Sequence, residues 1–123
     1  MRRFLCLATS LALAACTLGC GATRPVDPDA AVATLRAALD TWKGGQAAGP
    51  MAPTPGFVVG DPRWQAGYRL LDYRTAGPPA PSGLDLRCAV DLWLQGPRGK
   101  KLRERADYIV TTHPARTVIR ADF

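Results

Sequence analysis

Residues 86–110, LRCAVDLWLQGPRGKKLRERADYIV, decide the fold, because hydrophobic side chains recur there at nearly every second position. This spacing places them on one face of a β-strand and the polar side chains on the other face. The alternation predicts two strands, over residues 85–94 and 102–112, that pair antiparallel. Residues 95–99, Gln-Gly-Pro-Arg-Gly, have the composition of a hairpin connection between them.

Upstream of this hairpin, residues 28–43 have the pattern of an amphipathic helix. Asp27 can cap the first turn, Pro28 suits the first helical position, and Gly44-Gly45 ends the helix. Apolar residues recur at steps of three and four, which gives one stripe that can lie on a sheet. The stripe consists of Ala31, Val32, Leu35, Ala38, Leu39 and Trp42.

The remaining segments predict loops and two further strands. Residues 46–56 and 77–83 are rich in Gly, Pro and Ala and predict loops, and residues 60–62 predict a turn after a short apolar run. We expect Trp42 and Trp64 in the core. Residues 68–75 and 117–122 predict strands, so one helix is followed by about four antiparallel strands, which is an α+β plan.

The layout carries a resemblance to known proteins. A helix, a long loop, the element Val58–Trp64 (VVGDPRW) and a strand meander resemble the cystatin-like or NTF2-like α+β roll, which implies one N-terminal helix on a curved antiparallel sheet. Residues 37–43 (AALDTWK) and the segment from Tyr108 to Arg120 resemble small bacterial lipoproteins of that kind. The hairpin has Pro97 where the inhibitory Gln-x-Val-x-Gly loop of cystatins has Val, so the likeness implies the fold and not protease inhibition.

The N-terminus has the pattern of an export signal. Arg2 and Arg3 precede an apolar run, residues 4–15, which is too short to cross a hydrocarbon core of about 30 Å as a helix. A basic start followed by such a run is typical of a secretory signal peptide. Leu13-Ala14-Ala15-Cys16 resembles the lipobox of bacterial lipoproteins, which implies cleavage before Cys16 and lipidation of its thiol.

Two alternatives to lipidation at Cys16 remain open. In the first, Cys20 is the lipidated residue, because it follows a second such sequence in which Thr17 replaces the aliphatic residue. In the second, the signal peptide is cleaved as in ordinary secretion, and neither cysteine has a role in anchoring. The chain is therefore divided into a lipoprotein signal peptide (1–15), a lipidated tether (16–26) and a single α+β domain (27–123). The predicted location is the cell envelope, with the domain anchored to a membrane through its N-terminal lipid and facing outside the cytoplasm.

Composition and charge exclude several classes. A chain of 123 residues that is 47% hydrophobic and 21% charged fits one soluble domain and not a collagen, a coiled coil or a polytopic membrane protein. The net charge is +6, and several of the basic residues lie in the predicted hairpin. No aromatic residues are interleaved with them, so we predict no nucleic-acid partner.

The cysteine and histidine positions give no metal-site spacing, and no cofactor is predicted. Cys20 and Cys88 either pair in an oxidising compartment or stay apart, with Cys88 as a small buried strand residue.

No catalytic residue is assigned. Asp72, Asp91, Asp107 and His113 are the candidate bases, but ion pairing or a solvated turn explains each of them more simply. The chain also contains no phosphate-binding glycine loop, no nucleophile elbow and no zinc-protease motif. The question of an enzyme stays open at this point, with a non-enzymatic role favoured.

One helix covers only one face of a sheet, so the other face is the candidate binding surface. Its weakly assigned binding residues are Trp93, Arg87, Asp91 and Arg105, beside Arg103, Asp107 and Ile109. They predict either an interface with a protein, an envelope component or a second copy, or a solvated face on which Trp93 packs against arginine stems. The alternative function is a small-molecule-binding protein or a reduced NTF2-like enzyme of the isomerase or dehydratase type, with a pocket between helix and sheet. A core of Leu and Trp with no internal carboxylate would exclude the enzyme.

Overall fold

A computed structural model describes residues 26–48 and 57–122 of the chain. The predicted signal peptide, Cys16, Cys20, the tether before Val26, residues 49–56 of the predicted loop and Phe123 lie outside the described residues. The elements are α1 (Pro28–Lys43), β1 (Val58–Gly60), α2 (Pro62–Gln65), β2 (Arg69–Thr75), β3 (Ala80–Ser82), β4 (Asp85–Gln95), β5 (Lys101–Thr111) and β6 (Thr117–Arg120).

Helix α1 forms where the sequence predicts it. The side chain of Asp27 accepts a hydrogen bond from the backbone N–H of Asp29, and the N–H of Gly44 donates to the carbonyl of Asp40 at the other end. The predicted stripe is buried except for Val32, which is half-buried. Helix α1 lies against the sheet through this stripe.

The predicted hairpin of β4 and β5 forms the centre of the sheet. The two strands have eleven residues each and pair antiparallel from Gln95 opposite Lys101 to Leu86 opposite Val110. The turn between them contains Gly99 at a φ of +90°, a conformation that side chains with a Cβ rarely adopt. The sheet order is β1-β6-β5-β4-β2, and β3 pairs with the start of β4.

The expected α+β plan, with one main helix on a sheet, is confirmed, but the expectation of about four antiparallel strands is wrong in two respects. The curled sheet has six strands in the described residues, and it is mixed, because β1 pairs parallel with β6. Strands β1 and β3 have only three residues, so neither shows an alternation that could identify it. The pairing of Val59 with Val118 joins distant parts of the chain, and no local pattern indicates such a contact.

The two faces of the central strands have opposite character, as the alternation predicts. The inner face of β4 and β5 packs under α1 in one hydrophobic cluster that includes Trp42 and Trp64. Both tryptophans are buried, which confirms their predicted place, and their rings stack with centroids 5.3 Å apart. We define the outer face as eight side chains on the opposite side of β4 and β5, taken between the strand ends. They are Arg87, Ala89, Asp91, Trp93, Arg103, Arg105, Asp107 and Ile109.

Candidate binding surface and buried polar cluster

The outer face contains the cross-strand ion pairs that the sequence predicts. Arg87 Nη2 lies 3.0 Å from Asp107 Oδ2, and Arg105 Nε lies 3.0 Å from Asp91 Oδ1. Arg103 Nη2 approaches the other oxygen of Asp91 at 3.6 Å. Strand pairing explains this arrangement, because Asp91 stands directly opposite Arg105 in the antiparallel register.

Trp93 packs against a neighbouring arginine on the same surface. The guanidinium carbon of Arg103 lies 4.8 Å from the centroid of the indole ring, which is the geometry of a cation–π contact. Trp93 itself is half-buried. The expected packing of Trp93 on an arginine is therefore present, and the indole is still accessible at the surface.

The charged groups of the outer face differ in how far they are exposed to solvent. The Asp91 side chain is only 12% exposed, whereas the side chains of Arg103 and Arg105 are 63% and 66% exposed. The hydrogen bond from Arg105 lowers the pKa of Asp91, so the carboxylate is ionised at neutral pH. Two guanidinium groups thus share one recessed carboxylate, and the outermost charge is positive.

An apolar patch adjoins the charged part of the outer face. Ile109 pairs with Ile119 of β6, and Ile119 and Val58 are both exposed. Ile119 lies over Gly60, where an added Cβ would come within 2.9 Å of its Cδ1 atom. We define the apolar patch as Val58, Ile109 and Ile119.

A second polar assembly lies inside the protein. We call Asp61, Glu104, Tyr108 and Arg120 the buried cluster. Asp61 caps α2 by accepting a hydrogen bond from the backbone N–H of Arg63 at 2.8 Å, and the Tyr108 hydroxyl donates to the other carboxylate oxygen at 2.5 Å. Arg120 Nη1 lies 3.7 Å from Asp61, and the side chains of both residues are 1% exposed. Burial, followed by the Asp61 charge, raises the pKa of Tyr108, which keeps the phenol protonated.

Arg120 joins this cluster to further carboxylates. Its guanidinium lies 3.1 Å from Glu104 and 2.8 Å from Asp122. Arg63 binds the same Glu104 through two hydrogen bonds of 3.2 Å. Burial opposes the ionisation of Glu104, but the hydrogen bonds from Arg63 and Arg120 outweigh it and lower its pKa. Each carboxylate of the assembly therefore lies within 4 Å of a guanidinium group.

Sequence reasoning missed the buried cluster, although three signals pointed to it. Glu104 occupies an inward position of β5, between Leu102 and Ala106 in the strand alternation. Arg120 follows Val118 in the same inward phase of β6. A charged residue in an apolar phase indicates a buried pair, and Asp61 before Pro62 is a further signal, since Asp favours helix N-caps.

The candidate bases do not form one site. Asp91 and Asp107 both lie on the outer face, whereas Asp72 is exposed and pairs with Lys43 at 3.3 Å. His113 is exposed in the turn after β5. Asp61 is buried and Glu104 is half-buried, so the absence of an internal carboxylate cannot be used to exclude an enzyme.

Several clefts of the described residues flank α1, and two of them are lined by residues of the hydrophobic cluster. One, of about 460 Å³, lies beside the stacked tryptophans, whose indole N–H groups donate to the backbone carbonyls of Tyr68 and Gln46. The other, of about 200 Å³, lies between helix and sheet. Its lining is mainly apolar and consists of Val32, Leu35, Thr75, Gly77, Pro79, Cys88 and Ala89.

The described residues hold no group of three His, Cys, Asp or Glu side chains arranged for a metal ion. Cys88 is a buried thiol, and burial raises its pKa. Its possible partner Cys20 lies outside the described residues, so the question of a disulfide stays open.

Comparisons with known proteins identify no relative of this chain. No protein-family model matches the chain, and no significant match is found among curated proteins or solved structures. In residues 26–48 and 57–122, no helix combines the length and the apolar character that crossing a bilayer requires.

Proposed function

We propose that this chain is an exported, lipid-anchored, non-enzymatic domain with a cystatin-like or NTF2-like α+β roll, which binds a protein or another cell-envelope component through its outer face. The observation that carries the proposal is the surface on which Trp93, Arg103 and Arg105 stand together, on the side of the sheet opposite α1. Tryptophan and arginine are the residue types most enriched where proteins recognise each other.

The anchor is supported by the sequence before the domain. Two arginines, a twelve-residue apolar run and Leu13-Ala14-Ala15-Cys16 stand in the order that a lipoprotein signal requires. Each buried acyl CH₂ contributes about 0.8 kcal/mol, so two or three chains hold a protein firmly on a membrane. Residues 17–25 separate Cys16 from the first described residue and span at most about 30 Å when extended.

A binding role is favoured over catalysis by the state of the internal carboxylates. Asp61 accepts from Tyr108 and the α2 backbone, and Glu104 accepts from Arg63 and Arg120. A general base needs a lone pair within reach of a substrate proton. Both carboxylates instead face protein donors that occupy their lone pairs.

The anchor is tested by mass spectrometry of the protein produced from its full sequence in a bacterial host. We expect a mature chain that begins at Cys16 and carries a diacylglyceryl group. The Cys16→Ser variant should lose both the lipid mass and the membrane fraction, whereas Cys20→Ser, the matched control, should keep both. A mature protein that begins at Met1 or lacks the lipid would contradict the anchor.

The binding face is tested by photo-crosslinking in the producing cells. A photoreactive residue in place of Trp93 should give a discrete adduct, and the same residue in place of Arg36, which is exposed on α1, should not. An adduct of twice the chain mass would identify the partner as a second copy. Equal crosslinking from both positions, or none from position 93, would contradict the proposed surface.

A second candidate function is favoured by the 200 Å³ cleft between helix and sheet. This cleft is small beside ligand pockets of about 300–1,000 Å³, but its apolar lining suits a compact apolar molecule. Ligand-observed NMR with indole tests this candidate. Binding that Cys88→Met abolishes would support it, because the larger side chain fills the cleft, and no binding to the unaltered chain would remove it.

A further inference from the structure

The net charge of the outer face is positive. Its three arginines face two aspartates, and in β2 the exposed Arg74 and Asp72 stand opposite Asp91 and Trp93, where Lys43 neutralises Asp72 at 3.3 Å. Surfaces with the same excess charge repel one another, so this face is poorly suited to bind its own copy. The charge fits a partner that is acidic.

The arginines that give this charge are held in place from beneath. Arg105 donates from both Nε and Nη2 to Asp91, and Arg103 is fixed between Asp91 and the ring of Trp93. A guanidinium has five N–H donors, and both side chains are about two-thirds exposed, so outward donors are accessible. Holding these side chains in advance reduces the entropy that a ligand must overcome when it binds.

The apolar patch favours a protein over a polyanion as the acidic partner of the outer face. Arg105 and Ile109 are four residues apart on one strand, about 13 Å at 3.3 Å per residue. An extended polypeptide can place a carboxylate and a branched apolar side chain at that same separation. A phosphate polymer has no group for the patch that Val58, Ile109 and Ile119 form, and a lipid layer offers apolar groups only below its headgroups.

We propose, on the basis of the proposed function, that the outer face recognises an extended acidic protein segment. Arg103 and Arg105 bind its carboxylates, while the apolar patch binds apolar side chains further along the segment. Arginine suits this role because its planar fork binds a carboxylate with two parallel hydrogen bonds.

The probe is the peptide Glu-Thr-Glu-Thr-Val-Thr-Val, labelled with fluorescein and measured by anisotropy against the full chain purified in a non-ionic detergent. Its two Glu residues have the spacing of Arg103 and Arg105. We expect Arg103→Gln/Arg105→Gln to weaken binding at least about tenfold, the scale of losing charge-assisted hydrogen bonds. The control Arg98→Gln/Lys100→Gln removes the same charge from the exposed hairpin turn and should change affinity less than about twofold.

Two further variants separate the contributions. Arg103→Lys/Arg105→Lys keeps the charge but loses the fork, and should bind with intermediate affinity even if the glutamine variant does not fold. Ile119→Ser should lower the affinity for the Glu-Thr-Glu-Thr-Val-Thr-Val peptide. It should leave the affinity for a Glu-Thr-Glu-Thr peptide, which lacks the apolar residues, unchanged.

Several results would overturn the proposal. They are equal weakening by the hairpin control, no binding of the peptide to the unaltered chain at millimolar concentration, and equal binding of a peptide with Lys in place of Glu. Binding to phosphatidylglycerol vesicles that Arg103→Gln/Arg105→Gln abolishes, without peptide binding, would replace the acidic segment by a membrane surface. In each of these cases, crosslinking from position 93 would still decide the proposed function separately.

Discussion

Strand β5 supplies arginine–carboxylate assemblies to both faces of the sheet, and the two differ in what surrounds them. Glu104 points inward to Arg120, whose side chain is 1% exposed, whereas Arg105 points outward to Asp91 and is 66% exposed. The same side-chain chemistry therefore occurs at adjacent positions of one strand in two environments. Burial therefore decides whether such an ion pair stabilises the fold or remains accessible to a binding partner.

Solvent explains the different consequences. Water and salt screen an exposed pair, so its net contribution to the free energy of unfolding is small. Inside the protein, removal of one partner leaves a charge without water and without a counterion, which is strongly destabilising. We expect substitutions in the buried cluster to act on folding and those on the outer face to act on binding.

The largest effect is expected for Arg120→Met, which keeps much of the side-chain volume but removes the charge. Asp61 and Glu104 would lose their shared cation, and the free energy of unfolding should fall by about 3–5 kcal/mol. Urea unfolding at neutral pH measures this. The matched control is Arg116→Met, an exposed residue of the preceding turn, with an expected change below about 0.5 kcal/mol. If the free energy of unfolding fell no further for Arg120→Met than for Arg116→Met, the contrast between the buried cluster and the outer face would be contradicted.

Tyr108→Phe should have the next largest effect. It keeps the buried ring but removes the hydroxyl that donates to Asp61, and a buried acceptor without its partner costs about 1–3 kcal/mol. Tyr73→Phe is the matched control, because the Tyr73 hydroxyl donates to Asp40 at the surface, where water can replace it. Equal losses in the two variants would contradict a special role for the buried cluster.

A third prediction concerns pH. The pKa of Glu104 is lowered in the folded state, so its ionised form stabilises the fold above the unfolded pKa of about 4.3. This contribution is lost as pH falls through the folded pKa, and the unaltered chain should lose stability between about pH 5 and pH 2. Glu104→Gln should be less stable at pH 7 and show a shallower acid slope in urea unfolding.

High salt provides the control for this pH dependence. At 1 M salt the exposed pairs of the outer face are screened, while the buried cluster is screened much less, so the difference in acid slope should persist. An equal slope for both proteins would show that Glu104 does not contribute to acid unfolding.

The smallest effect on stability is expected for Arg105→Gln. Asp91 keeps Arg103 at 3.6 Å, and the Arg105 side chain that is changed is 66% exposed. The urea midpoint should stay closest to that of the unaltered chain among these four variants, while affinity for the acidic peptide falls. A loss of stability comparable with that of Tyr108→Phe would mean that the outer pair is also a structural element.

The parts of the fold that could be predicted are those with local signals. The alternation from Leu86 to Leu94 assigns both faces of β4, and the capping residue Asp27 with the stripe of α1 defines the helix. The ion pairs of the outer face follow from the same alternation once the hairpin register is assumed. The weakly assigned residues Trp93, Arg87, Asp91 and Arg105 accordingly lie on one surface, and their binding role stays a prediction.

The parts that could not be predicted depend on contacts between distant residues. The parallel pairing of β1 with β6 joins Val58 to Thr117, and the buried cluster joins Asp61 to residues of two later strands. A three-residue strand has no measurable period, and a single aspartate does not indicate which cation it will meet. The inward phases of Glu104 and Arg120, together with the capping position of Asp61, gave the local indications that charge would be buried.

The most direct test of the division between the two assemblies is the affinity of the Glu-Thr-Glu-Thr-Val-Thr-Val peptide for Arg103→Gln/Arg105→Gln, measured on variant protein that urea unfolding shows to be folded. An outer face made for recognition predicts an affinity at least about tenfold weaker. An affinity equal to that of the unaltered chain would contradict it and leave these arginines as surface charges alone.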